Sequence, residues 1–80
     1  MKMEKQIDAR AIGDRLRQLR GDRTQTAVAE AVGVTGMAIS QYEAGTRIPS
    51  DEMKIRLADF YGVGIERLFF IRKFKEEKDG

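Results

Sequence analysis

Residues 25–44, QTAVAEAVGVTGMAISQYEA, constrain this chain more than any other stretch, because their apolar and small residues fall at the spacing of two short helices crossing over a tight turn. The apolar positions are Val28, Val32, Val34, Ile39 and Tyr42, with Ala29 between the first two and Gly33 one residue before Val34. Two helices that cross steeply over so short a turn press together at Ala29, where a larger side chain would drive them apart. Gly33 can take positive φ and end the first helix. Thr35 then offers its hydroxyl to the free N–H groups of the second helix, which runs to about Glu43 before Gly45 stops it. Gln25, Met37, Ser40 and Gln41 fall on the face that this packing leaves free.

The pattern resembles the Xre-type helix-turn-helix family, the group of phage lambda repressor and Cro-like regulators. IGDRLRQLR (12–20) is similar to the family's first helix, TQTAVAEAVGVT (24–35) to its second, and YEAGTRIPSDEMKIRLADFYGV (42–63) to the segment leading into its fourth. The resemblance covers about residues 7–69. One departure is plain: only residues 21–23 separate Arg20 from the Thr24-Gln25 pair, a connection about two residues shorter than is usual, and Arg23 stands where an apolar residue is common. The resemblance implies an all-α, compact five-helix lambda-repressor-like DNA-binding domain over residues 7–71, with its helix-turn-helix in helices two and three.

Periodicity read along the chain gives the same five helices and no strand. The first runs from the N-cap Asp8 to Arg20, burying Ile12, Leu16 and Leu19, and Gly21 ends it. The second begins after Thr24 and the third after Thr35. The fourth follows Pro49 and the cap Ser50, opens on the acidic pair Asp51-Glu52, buries Met53, Leu57, Ala58 and Tyr61, and closes at Gly62. The fifth spans about Ile65 to Phe70 and returns Leu68 and Phe69 to the core. Residues 72–80 read as a charged, flexible tail with only Phe74 to bury. No internal repeat or linker divides the chain.

Composition excludes more than it assigns. Eighty residues allow one modest core, and with no cysteine there is no disulfide or thiolate metal site to staple it. No apolar run is long enough to span a bilayer and the start MKMEKQIDAR has no apolar h-region, so a cytoplasmic protein with no membrane partner is expected. Lys plus Arg number 15 against 13 Asp plus Glu, so the pI of about 9.2 says little of nucleic acid by itself. The five arginines between Arg10 and Arg23 face only two aspartates there, which fits either a basic face or a solvated helix surface. The absence of histidine removes the commonest general base and metal ligand, and that of cysteine the best nucleophile, so neither catalysis nor a cofactor is expected. Asp51-Glu52 and Glu76-Glu77 are adjacent pairs that a helix would turn to different faces.

The resemblance also implies roles. Thr35, Gly36, Met37, Ser40 and Gln41 lie where family members contact bases and nearby phosphates. Gly36 and Met37 stand where many relatives carry Gln, Arg or Ser; they can offer close backbone approach and an apolar contact with a thymine methyl, which leaves Gln41 for a bidentate contact with adenine. Gln25 and Arg47 are placed on phosphate; Thr24, beside them, is better read as the cap of helix two. Arg20 and Glu43 occupy the positions of an interhelical ion pair. Geometry adds a homodimer held by Phe69-Phe70-Ile71, since Phe70 and Ile71 would point some 100° to 200° away from a core-facing Phe69. The function expected is that of a sequence-specific regulator of transcription, a prophage or mobile-element repressor that binds double-stranded DNA as a dimer. The rival is a protein-interaction module with a protein partner, such as an antitoxin of the same fold, docking through that apolar end.

Overall fold

The computed structural model describes residues 8–69, and these form five helices: α1 Ala9–Arg20, α2 Gln25–Val32, α3 Gly36–Ala44, α4 Asp51–Tyr61 and α5 Ile65–Phe69. Four of the five begin on a side-chain cap. Asp8 accepts from the N–H groups of Arg10 and Ala11, each at 3.1 Å. Thr24 accepts from Ala27 at 3.0 Å, Thr35 from Ala38 at 3.0 Å and Ser50 from Met53 at 3.2 Å. Each such cap is worth about 1 kcal/mol, and together they set the helix starts. At the other end of α2, Gly33 adopts φ 80° and ψ 44°, the left-handed geometry that turns the chain back within three residues toward α3.

The core lies at the middle of the bundle, where Ile12 and Leu16 of α1 meet Val28, Ala29 and Val32 of α2, Ala38, Ile39 and Tyr42 of α3, Leu57 and Ala58 of α4, and Leu68 and Phe69 of α5. Leu19, Met53 and Tyr61, expected inside, are only half-buried against it. Burial raises the Tyr61 phenol above its ordinary value, with the charge of Glu43 adding to the effect. Lys54, which polarity would place outside, is 7% exposed and reaches Asp51 at 3.6 Å.

Helices α1 and α3 approach closely at Gly13. A Cβ placed on Gly13 would lie 2.3 Å from the carbonyl oxygen of Glu43 and 2.8 Å from that of Tyr42. The two helices therefore meet backbone to backbone, and only glycine fits. Nothing in the pattern of apolar residues announces this contact, although a glycine inside an otherwise regular helix is itself a signal of close packing.

The short connection from α1 to α2 is closed by arginines. Arg20 Nη1 donates to the Arg23 carbonyl at 2.8 Å, and Arg23 Nη1 donates back to the Leu19 carbonyl at 3.1 Å. The Arg23 guanidinium lies 5.4 Å from the centre of the Phe60 ring and 5.8 Å from that of Tyr61. It thus covers α4 by stacking where an apolar side chain would cover it by burial.

Phe69 corrects one expectation. It has no exposed surface within the single chain, because so small a core needs every large side chain that α5 can return to it, and it has nothing left to offer a dimer contact. Phe70, Ile71 and the tail 72–80, on which the remainder of that expectation rests, lie outside the described residues.

Candidate nucleic-acid interface

Helix α3 divides sharply. Ala38, Ile39, Tyr42 and Glu43 are buried, while Met37 is 70% exposed and Ser40 and Ala44 are also exposed. The free side is the one that begins at the N-terminus of the helix. Thr35 uses its oxygen to accept from Ala38 N–H, so its own O–H remains a donor for a ligand. Gly36 has ordinary helical backbone, and a Cβ there would meet only Thr26 Oγ1, at 3.8 Å. Neither strain nor packing requires this glycine. Its effect is to leave the front of α3 bare, next to the α2 residue Thr26, a neighbour that the sequence reading did not assign.

Gln41 and Arg47 are found together. Arg47 Nη1 donates to Gln41 Oε1 at 3.3 Å, and its guanidinium lies 5.5 Å from the centre of the Tyr42 ring. Thr46 fixes the turn by donating its N–H and its hydroxyl to the Gln41 carbonyl, at 3.1 and 3.3 Å. Gln41 is half-buried, with both N–H groups of its amide available and one of the two lone pairs of Oε1 taken by Arg47.

Gln25 is not on an entirely free face. Its Nε2 donates to Glu43 Oε1 at 3.0 Å. The same carboxylate, 4% exposed, accepts from Arg20 Nε at 2.7 Å through Oε2 and from Arg20 Nη2 at 3.0 Å through Oε1. Arg20 and Glu43 therefore form the interhelical pair, side-on and bidentate, and that hydrogen bonding raises the Arg20 guanidinium above its ordinary value. Gln25 is a third member that spacing alone did not disclose. One polar cluster thus ties the end of α1, the start of α2 and the end of α3. Arg17 Nη2 adds a long contact of 3.4 Å to the Glu43 carbonyl. Thr24 acts as the cap of α2.

Among the described residues no three His, Cys, Asp or Glu side chains gather where they can hold a metal ion. No helix there is long and apolar enough to cross a membrane.

Two short helices crossing at Ala29 and Gly33, the second with a bare outer face and its rear locked to α1, define a helix-turn-helix domain of the lambda-repressor-like class. The chain belongs to the helix-turn-helix domain family, whose model matches residues 11–68. Among solved structures it is similar to the c2 repressor of phage P22 in complex with a synthetic operator, at 30% identity and TM-score 0.69 over 71% of this chain and 89% of that one. It is also similar to C.AhdI, a restriction-modification controller protein from Aeromonas hydrophila, at 28% identity and TM-score 0.71 over 78% and 97% of the two chains. The DNA-binding domain of BldD matches at 29% identity and TM-score 0.64 over 78% of this chain and 93% of that one. No curated protein matches.

Proposed function

We propose that this chain is a sequence-specific regulator of transcription, a prophage or mobile-element repressor that reads the major groove of double-stranded DNA with α3 and binds its operator as a homodimer in the cytoplasm. The observation that carries the reading is the division of α3: a fully packed rear, and a front on which Met37 stands 70% exposed beside Thr35, Gly36 and Ser40. The similarity to a repressor in complex with a synthetic operator supports DNA as the partner.

In this reading the N-terminal half of α3 lies at the base edges and α2 crosses the backbone. Met37 meets a thymine methyl, Gln41 pairs with adenine, and Thr35 and Ser40 donate to bases or nearby phosphates. Gln25 and Arg47 hold the phosphates on either side and fix register without reading sequence. The rival reading, a protein-interaction module, rested on an apolar end whose first residue, Phe69, is buried. Selection from a random duplex pool tests the proposal. Two enriched half-sites about 10 base pairs apart support a dimer on one DNA face, and a pool that shows no enrichment refutes it.

A further inference from the structure

We propose that Glu43 is a positioning residue for DNA binding: by accepting one N–H of the Gln25 amide, it holds the second N–H of the same nitrogen outward for a phosphate oxygen. The inference rests on the reading of α2 as the helix that crosses the DNA backbone. It adds a function to a carboxylate that the ion pair with Arg20 alone would make purely structural.

A primary amide is nearly symmetric in shape but not in chemistry. Turned one way it presents N–H groups, which a phosphate accepts; turned the other it presents oxygen, which a phosphate repels. A glutamine free in solvent samples both. Gln25 is not free, because the Glu43 carboxylate gripped by Arg20 presents only acceptor oxygens, so the nitrogen must face it at 3.0 Å. The reversed amide would set two oxygens at that distance. The carboxylate itself cannot swing away, since Arg20 grips both its oxygens and uses its third donor, Nη1, on the Arg23 carbonyl. Arg20 also cancels the charge of Glu43, so a phosphate near Gln25 meets a neutral pair rather than a bare anion. The orientation of one surface amide is thus set by three helices, and the entropy of choosing it is lost on folding rather than on binding.

The experiment uses the full chain and the duplex selected above, with single phosphates replaced in turn by uncharged methylphosphonates. Opposite Gln25, replacement should weaken binding by the parent roughly tenfold, the scale of a hydrogen bond to a charged group. The Gln25→Ala variant should be insensitive at that one position. The Glu43→Gln variant, which keeps the Gln25 side chain but no longer dictates its orientation, should lose most of the same sensitivity. A role confined to stability would lower the melting temperature and leave the sensitivity intact, and that result overturns the inference. If Glu43→Gln does not fold, the unmutated protein answers through the two side-chain N–H resonances of Gln25. On DNA addition one should shift while the other keeps its protection from exchange; joint movement, or none, overturns the inference. A parent that binds no duplex removes the DNA reading and this inference with it, whereas a parent that binds with no methylphosphonate position separating it from Gln25→Ala removes this inference alone.

Discussion

Replacing Gly13 by alanine should destabilise the domain by about 2 kcal/mol or more, although alanine is the better helix former. The added Cβ would lie 2.3 Å from the Glu43 carbonyl oxygen and 2.8 Å from that of Tyr42. An ordinary contact needs about 3.4 Å or more, so α1 and α3 must part by roughly 1 Å. Both neighbours are helix backbone, and no rotamer change relieves the clash. Overpacking of this kind costs about 1 to 3 kcal/mol, and the upper end applies where nothing can yield. The gain in helix propensity returns about 1 kcal/mol at most. At about 4 to 8 °C per kcal/mol for a domain of this size, the melting temperature should fall by roughly 10 to 15 °C. Gly64→Ala is a control for an added Cβ without a clash, since a Cβ there meets nothing within 4 Å, and it should cost clearly less than Gly13→Ala. Thermal unfolding followed by circular dichroism, with urea denaturation as a check, compares the two. A Gly13→Ala variant that melts at or above the parent temperature would refute the close backbone approach.

Other consequences are smaller or more local. Arg47→Ala should reduce the slope of log affinity against log salt by about one unit, as for one neutralised phosphate; an unchanged slope removes Arg47 from the contact. Gln41→Ala should cost about 1 to 3 kcal/mol on the selected duplex and relax preference at one base pair, and a variant that ranks sequences as the parent does places the readout elsewhere. Arg23→Ala should lose about 0.5 to 1 kcal/mol of stacking over Phe60 and Tyr61, which Arg23→Leu should largely restore by burial; equal melting of the alanine variant and the parent would show the stacking to be without effect. The raised Tyr61 pKa makes stability fall as pH climbs through 10.0, the ordinary tyrosine value, because the unfolded chain ionises there before the folded one does. Alkaline unfolding of Tyr61→Phe should accordingly show a shallower decline, and curves that superimpose would rule the residue out.

The helix starts were legible in the sequence because a cap acts across two or three residues. Asp8, Thr24, Thr35 and Ser50 each bond within their own first turn, and Gly33 needs only its own backbone to take positive φ. The apolar stripe was legible for a similar reason, since periodicity alone assigns Val28, Val32, Ile39 and Tyr42 to one side. What escaped was contact between distant backbone and polar groups. Gly13 meets Glu43 across thirty positions of sequence, and no local rule connects them. Gln25 read as a free polar residue, because nothing in α2 shows that the carboxylate of α3 stands within 3.0 Å of its amide. Lys54 escaped because a long aliphatic stem can lie buried while its ammonium reaches Asp51 at the surface. The shortened first connection could be counted, but not the stacking of Arg23 that replaces the missing apolar contact. On α3 the sequence distinguished the free side from the packed side, but a free side does not by itself say what it touches.

Gly36 carries a consequence for how a protein like this changes over time. Most substitutions at a functional surface spend stability, and a small domain has little to lose before it falls below the threshold for folding. Position 36 is an exception. A Cβ there would make only an ordinary contact with Thr26 Oγ1, at 3.8 Å, so a side chain can be added without displacing a neighbour. On the proposed docking of α3 in the groove, a single substitution can therefore add a base-reading side chain at little cost to the fold. On that proposal, specificity at this site changes without a destabilised intermediate, and descendants of this sequence can diverge in what they recognise while the fold beneath stays unchanged.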